Sequence, residues 1–157
     1  MTCAKDTPGI ETESQPGDVP TSELGWLKRL GPKAYSVLRQ GGTEHPFTGT
    51  YVSPRAAGTY ACKACGQVLF TAHEQFQAHC GWPAFWAPAG DDAVVLREDN
   101  SHGMRRTEVR CARCDSHLGH VFTGEGYQTP TDERFCINSI CLVHSDDSLN
   151  PGSPGPT

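Results

Sequence analysis

Two Cys-x-x-Cys pairs, Cys62-Lys63-Ala64-Cys65 and Cys111-Ala112-Arg113-Cys114, constrain this chain more than any other feature. Each reads as a knuckle, a tight turn that aims two thiolates at one point. Two knuckles supply four sulfurs, the closed tetrahedral set a structural zinc ion takes, with no open position for a substrate. Cys62, Cys65, Cys111 and Cys114 are therefore expected to hold one Zn2+ per chain. The stretch between the knuckles is too long for a compact zinc ribbon, so a whole sheet segment must be inserted there. Two thioredoxin-type redox pairs are the alternative, but neither motif opens a helix after a βα turn, as that chemistry requires. Structural zinc in peptides contributes about 10–16 kcal/mol of apparent binding free energy, enough to decide whether a small domain folds.

The chain has 157 residues. Its ends, residues 1–21 and 145–157, are polar and rich in Pro and Gly and read as disordered tails. That leaves 22–144 as one domain of ~120 residues, able to bury a single core. A net charge of -5 argues against a nucleic-acid partner, and the basic run Arg105-Arg106 with Arg110 and Arg113 is too interrupted to reverse that. No apolar run approaches the ~18 residues of a membrane span. The first residues show neither a signal-peptide apolar core nor the Arg-rich look of a transit peptide. A soluble, cytoplasmic protein is expected, and in a reducing compartment cysteines at this density bind metal or do redox chemistry.

Ser22 looks like the N-cap of a short helix carrying Leu24, Trp26, Leu27 and Leu30 and ended by Gly31. Pro32 opens a second, through Ala34, Tyr35, Val37 and Leu38, which stops at Gly41-Gly42. Helical periodicity then gives way to β-like runs at 59–62, 68–70, 94–96, 106–111, 118–122 and 134–143, separated by Gly, Pro, Asp and Asn clusters. Successive strands behind two helices indicate antiparallel sheets packed face to face.

Four cysteines remain: Cys3, Cys80, Cys136 and Cys141. Cys136 stands in the alternating run Arg134-Phe135-Cys136-Ile137-Asn138-Ser139, and on an extended strand it would share a face with Asn138. A thiol beside an amide suits a nucleophile, although a buried, inert cysteine is the plainer reading. On the same regular strand Cys141 would face the other way, as buried filler. Between the knuckles runs Phe76-Gln77-Ala78-His79-Cys80-Gly81-Trp82-Pro83-Ala84-Phe85-Trp86, whose aromatics serve either a core or an apolar slot. After the second knuckle comes His117-Leu118-Gly119-His120-Val121-Phe122. Alone, those histidines read equally well as satisfied structural residues. Two spare thiols, two histidines, an amide and aromatics together suggest a reactive site.

These stretches, with Tyr35 to Gln40, Gly42-Thr43-Glu44-His45-Pro46-Phe47, Ser101-His102-Gly103-Met104 and Arg106-Thr107-Glu108-Val109, resemble the B-type methionine sulfoxide reductases over about residues 34–143. The resemblance implies a mainly β fold of two antiparallel, β-tent-like sheets with short N-terminal helices and a structural zinc site of four cysteines. It implies that Cys136 is the catalytic thiol and that Cys80, two residues before Trp82, recycles it. In this scheme a Cys136 thiolate attacks the sulfoxide sulfur while His120, with His117 beside it, supplies a proton to the oxygen. Asn138 would orient substrate or a water relay, and Trp82 with Phe122 would bind the substrate's apolar end. The resulting sulfenic acid would condense with Cys80, and a thioredoxin-like dithiol would reduce the disulfide. The implied substrate is methionine-R-sulfoxide, mainly in oxidatively damaged proteins, and the enzyme a monomer with no nucleic-acid or membrane partner. A reductase for the free amino acid, or a zinc-stapled binding module without catalysis, stays open. Local departures from the family pattern are His79 and Ala84 around Gly-Trp-Pro, and Phe135 where Tyr is usual.

Overall fold

The computed structural model describes Pro20 and residues 22–145; the expected tails, apart from Pro20 and Ser145, lie outside the described residues. Helix α1 spans Glu23–Leu38, and the Ser22 hydroxyl caps it by accepting the Gly25 N–H at 3.0 Å. Gly31, at φ 84° and ψ 159°, breaks it into the two short runs expected. Pro32 disfavours helical backbone in the residue before it, and glycine alone takes the positive φ without strain. The buried face carries Trp26, Ala34, Val37 and Leu38.

Nine strands follow among the described residues: β1 Thr59–Cys62, β2 Val68–Thr71, β3 Gln75–Phe76, β4 Ala84–Phe85, β5 Val94–Asp99, β6 Arg106–Cys111, β7 His117–Thr123, β8 Glu133–Ile137 and β9 Leu142–Ser145. They form a three-stranded sheet, β2-β1-β9, and a six-stranded sheet, β3-β4-β8-β7-β6-β5. Neighbouring strands run antiparallel throughout. The sheets share one core, in which Tyr60, Leu69 and Phe70 meet Phe85, Val109, Leu118, Phe135 and Ile137. Phe70 stacks on Phe85 at 4.4 Å between centroids, and Tyr60 meets Phe85 edge-on at 5.2 Å. Burying a side chain of this size stabilises the fold by about 1.5–3 kcal/mol.

Residues 134–143 do not form the single strand that their alternation suggests. β8 ends at Ile137 in the larger sheet, Ser139–Cys141 form a 3-10 turn, and β9 begins at Leu142 in the smaller sheet. The cause is distant in sequence. The Glu44 carboxylate accepts the N–H groups of Ser139 at 2.7 Å and Ile140 at 3.1 Å, satisfying donors that a continuing ladder would have used. Cys141 is fully buried, as expected, but it sits in the turn, so face alternation from Cys136 is not the reason. The two-residue strands β3 and β4 carry no periodic signal. No helix among the described residues is long and apolar enough to cross a membrane.

Candidate active site

The two knuckles have the same backbone. In the first, Cys62 N–H donates to Gln67 O at 2.7 Å and Gly66 N–H to Cys62 O at 2.8 Å. In the second, Cys111 N–H donates to Ser116 O at 2.9 Å and Asp115 N–H to Cys111 O at 2.8 Å. Gly66 and Asp115 both turn the chain through positive φ. The sulfurs of Cys62, Cys65, Cys111 and Cys114 lie within 4.8 Å of one another, all four residues are buried, and the group can hold a metal ion. Arg29, Arg39 and Arg113 donate to the carbonyls of Ala64, Cys114 and Cys65, which brings positive charge to what would be an anionic thiolate cluster.

The second thiol cluster forms on the larger sheet. Cys136 on β8 stands opposite Ala84 on β4 and His120 on β7. Cys80 comes from the loop between β3 and β4, which turns sharply at His79 (φ 58°) and Gly81 (φ 95°). A Cβ on Gly81 would stand 2.5 Å from Pro46 Cβ, so only glycine fits that turn. Cys80 Sγ lies 3.6 Å from Cys136 Sγ, across 56 residues of sequence. The two thiols line a cavity of about 210 Å³. A larger one of about 530 Å³, between α1, the 43–51 loop and Ser139–Leu142, holds no thiol.

Trp82 and Phe122 also line the thiol cavity. The indole Nε1–H donates to Glu44 O at 3.1 Å, and the Arg134 guanidinium lies 4.6 Å over the Phe122 ring. His120 lines the cavity; His117 does not, and is buried behind it. Residues three apart face opposite ways on a regular strand, yet these rings are 5.6 Å apart. A bulge explains this: Gly119 pairs with Val109 and His117 with Arg110, leaving Leu118 as the extra residue. His117 Nδ1 lies 2.7 Å from Glu108, and His120 Nε2 2.7 Å from Asp99.

Asn138 stands one residue past the end of β8 with its backbone still extended, and it lines the same cavity as Cys136, the shared side that alternation suggests. Its Nδ2 donates to Leu118 O at 2.9 Å and its Oδ1 accepts Glu44 N–H at 3.0 Å, so part of the amide locks the Glu44 loop onto β7. Phe135 packs into the core against Phe70, so the missing phenol hydroxyl lies away from the thiols.

The thiols behave as a pair. Their S–H···S bond pulls the Cys80 thiol down to about 6 and, together with burial, pushes Cys136 well up, while Arg134 lowers both. The first proton thus leaves the pair below the ordinary thiol range. Burial holds His117 below its ordinary value against the opposing pull of Glu108.

Comparison with known sequences places this geometry. The SelR domain family matches residues 30–146. A protein of Leifsonia xyli named "Peptide methionine sulfoxide reductase MsrB" is 51% identical over 121 residues, 77% of this chain and 86% of its own. One of the same name from Pseudomonas putida is 54% identical over 117 residues, 74% of this chain and 88% of its own. The chain belongs to the B-type methionine sulfoxide reductase family. An uncharacterized protein of Schizosaccharomyces pombe is 49% identical over 131 residues, 82% of this chain and 94% of its own. In this B-type reductase, the residues around the thiols that sequence reasoning left without a role are Arg134, Glu44, Asp99, Arg106 and Glu108. Arg134 was within reach, since it stands two residues before Cys136 on β8 and so shares its face. The others act through partners that only the folded chain supplies.

Proposed function

We propose that this protein reduces methionine-R-sulfoxide, mainly in oxidised proteins, to methionine. The observation that carries the reading is the Cys80–Cys136 sulfur pair, 3.6 Å apart in a cavity that Trp82, Phe122 and His120 also line. The S–H···S contact passes the Cys136 proton to the more acidic Cys80, the Cys136 thiolate attacks the sulfoxide sulfur, and the oxygen accepts a proton from His120 as negative charge develops on it. Methionine leaves with its sulfur reduced, and the oxygen ends on Cys136 as a sulfenic acid. The Cys80 thiol then displaces that oxygen as water, and the sulfurs close from 3.6 Å to the about 2 Å of a disulfide. A thioredoxin-like dithiol restores both thiols by exchange, taking the disulfide itself. The Trp82 face holds the substrate methyl group, and Asn138 fixes the wall beside the reacting sulfur. His117 backs His120.

The resident metal in this reading is Zn2+, with a structural role. A tetrahedral site with Zn–S near 2.3 Å has sulfur–sulfur edges of about 3.8 Å. The Cys62–Cys114 and Cys65–Cys111 separations are 3.7 and 3.6 Å. All four positions go to protein sulfur, which leaves none for substrate.

The test is mass spectrometry after mixing with excess methionine-R-sulfoxide and no reductant. The expected outcome is a loss of two hydrogens mapped to Cys80 and Cys136, with about one methionine released per chain. Cys136→Ser should release none. Turnover in that variant, or unchanged thiols in the folded metal-loaded protein, would refute the reading.

A further inference from the structure

His120 reaches the thiol cavity with one ring nitrogen already engaged, because Nε2 lies 2.7 Å from Asp99 Oδ2. We infer that Asp99 is the positioning residue of the proton supply: it accepts the Nε2–H, sets the imidazole's orientation, and leaves Nδ1 to carry the proton that moves. The inference rests on the reading of His120 as proton donor.

Asp99 is itself held from several sides. Its Oδ1 accepts the Ser101 N–H at 2.9 Å and the Ser101 hydroxyl at 2.7 Å, and the Arg106 guanidinium approaches Oδ2 at 3.5 Å. Asp99 ends β5 directly across from Arg106 at the start of β6, and Ser101 opens the short 3-10 turn between them. The turn from β5 to β6 thus builds a cradle for one carboxylate. This gives a purpose to Ser101 and Arg106, both within stretches that carry the family resemblance. The bonds from His120 and Ser101 hold the Asp99 carboxyl well below the usual carboxylate range. An ionised carboxylate only accepts, so Nε2 must bear hydrogen.

Other charged and titratable groups surround His120. Glu108 lies opposite it on β6 but is committed to His117 and Arg110. On β7 the His117 ring centroid is 5.6 Å away. On β8, Cys136 is its ladder partner, and Arg134 and Cys80 line the same cavity. The ring's hydrogen bond goes to Asp99. When Nδ1 gives its proton to the sulfoxide oxygen, the imidazolium becomes the neutral Nε2–H tautomer without breaking that bond. A donor pinned in this way stays aimed throughout the transfer, and solvent reloads it afterwards.

The experiment measures single-turnover methionine release against pH for the wild type, Asp99→Asn, Asp99→Glu, His120→Gln and the Asp99→Asn/His120→Gln double variant. General acid catalysis contributes about 10²–10⁴-fold, so losing its aim should slow Asp99→Asn by roughly 10- to 100-fold. The pH dependence of its rate should also differ from the wild type, since the charged partner of the ring is gone. Asp99→Glu should recover part of the rate. In the His120→Gln background, Asp99→Asn should add no further loss. A wild-type rate and profile for Asp99→Asn would overturn the inference, and so would a full additional loss in the double variant, which would mean that Asp99 acts through packing. A wild-type rate for His120→Gln would instead overturn the donor reading beneath it.

Discussion

Gly119→Ala tests how closely β8, the strand that carries Cys136, must approach β7. Gly119 pairs with Ile137 in the β7–β8 ladder, and the hydrogen that stands where a Cβ would be faces the backbone of β8. A Cβ there would stand 2.0 Å from Cys136 O and 3.0 Å from both the Cys136 carbonyl carbon and Ile137 Cα. The obstacle is backbone, so no side-chain rotation relieves it. Restoring ordinary contact, which begins at 3.4 Å, requires the strands to part by about 1.4 Å. The Asn138 N–H to Leu118 O bond, now 3.0 Å, would stretch beyond hydrogen-bonding range. Overpacking of this kind costs about 1–3 kcal/mol and each lost backbone bond about 1 kcal/mol more, so a total of about 2–4 kcal/mol is expected. With a urea slope of about 1.5 kcal/mol/M, the unfolding midpoint should fall by roughly 1.3–2.7 M. Cys136 moves with its strand, and a displacement of about 1 Å at a reacting atom can cost about 100-fold in rate. Urea titration followed by tryptophan fluorescence, and single-turnover methionine release on the folded variant, read the two effects. A midpoint unchanged within about 0.3 M together with a wild-type burst would refute the close-approach reasoning.

Cys80→Ser should still release one methionine per chain, while thioredoxin-dependent cycling stops; full cycling would move the resolving role elsewhere. The thiolate is the reactive form, so alkylation of the reduced pair should rise with pH through about 6 and level off well below the ordinary thiol value. Replacing Cys80 with Ala removes the S–H···S bond and should shift that midpoint upward, which iodoacetamide kinetics with mass mapping would show; an unshifted midpoint would place the cause elsewhere. Displacing the metal with a mercurial and trapping it with a chelator should release one ion per chain and unfold the domain, given the about 10–16 kcal/mol such sites contribute. Retention of native circular dichroism after complete release would contradict the structural role.

Much of this protein is legible from local sequence. The Cys-x-x-Cys spacing gives the knuckles because the turn and the ligands lie within six residues. The break at Gly31-Pro32 is equally local, since both residues restrict their own backbone. Strands such as Arg106–Cys111 follow from alternation, and the combined motifs name the family.

What the linear chain leaves open depends on partners far along it. Alternation carries β8 on to Val143, but the Glu44 carboxylate stops it at Ile137 by taking two backbone donors. The two histidines share a side only because Leu118 bulges out of the β6–β7 register. Asn138 turns out to be partly committed to Leu118 and Glu44, and Asp99 to His120. Residue type and spacing determine which groups are present, because backbone preference and ligand chemistry act over a few residues. The 3.6 Å between Cys80 and Cys136 is decided by sheet pairing and by the Gly81 turn against Pro46, contacts that exist only once the chain has closed.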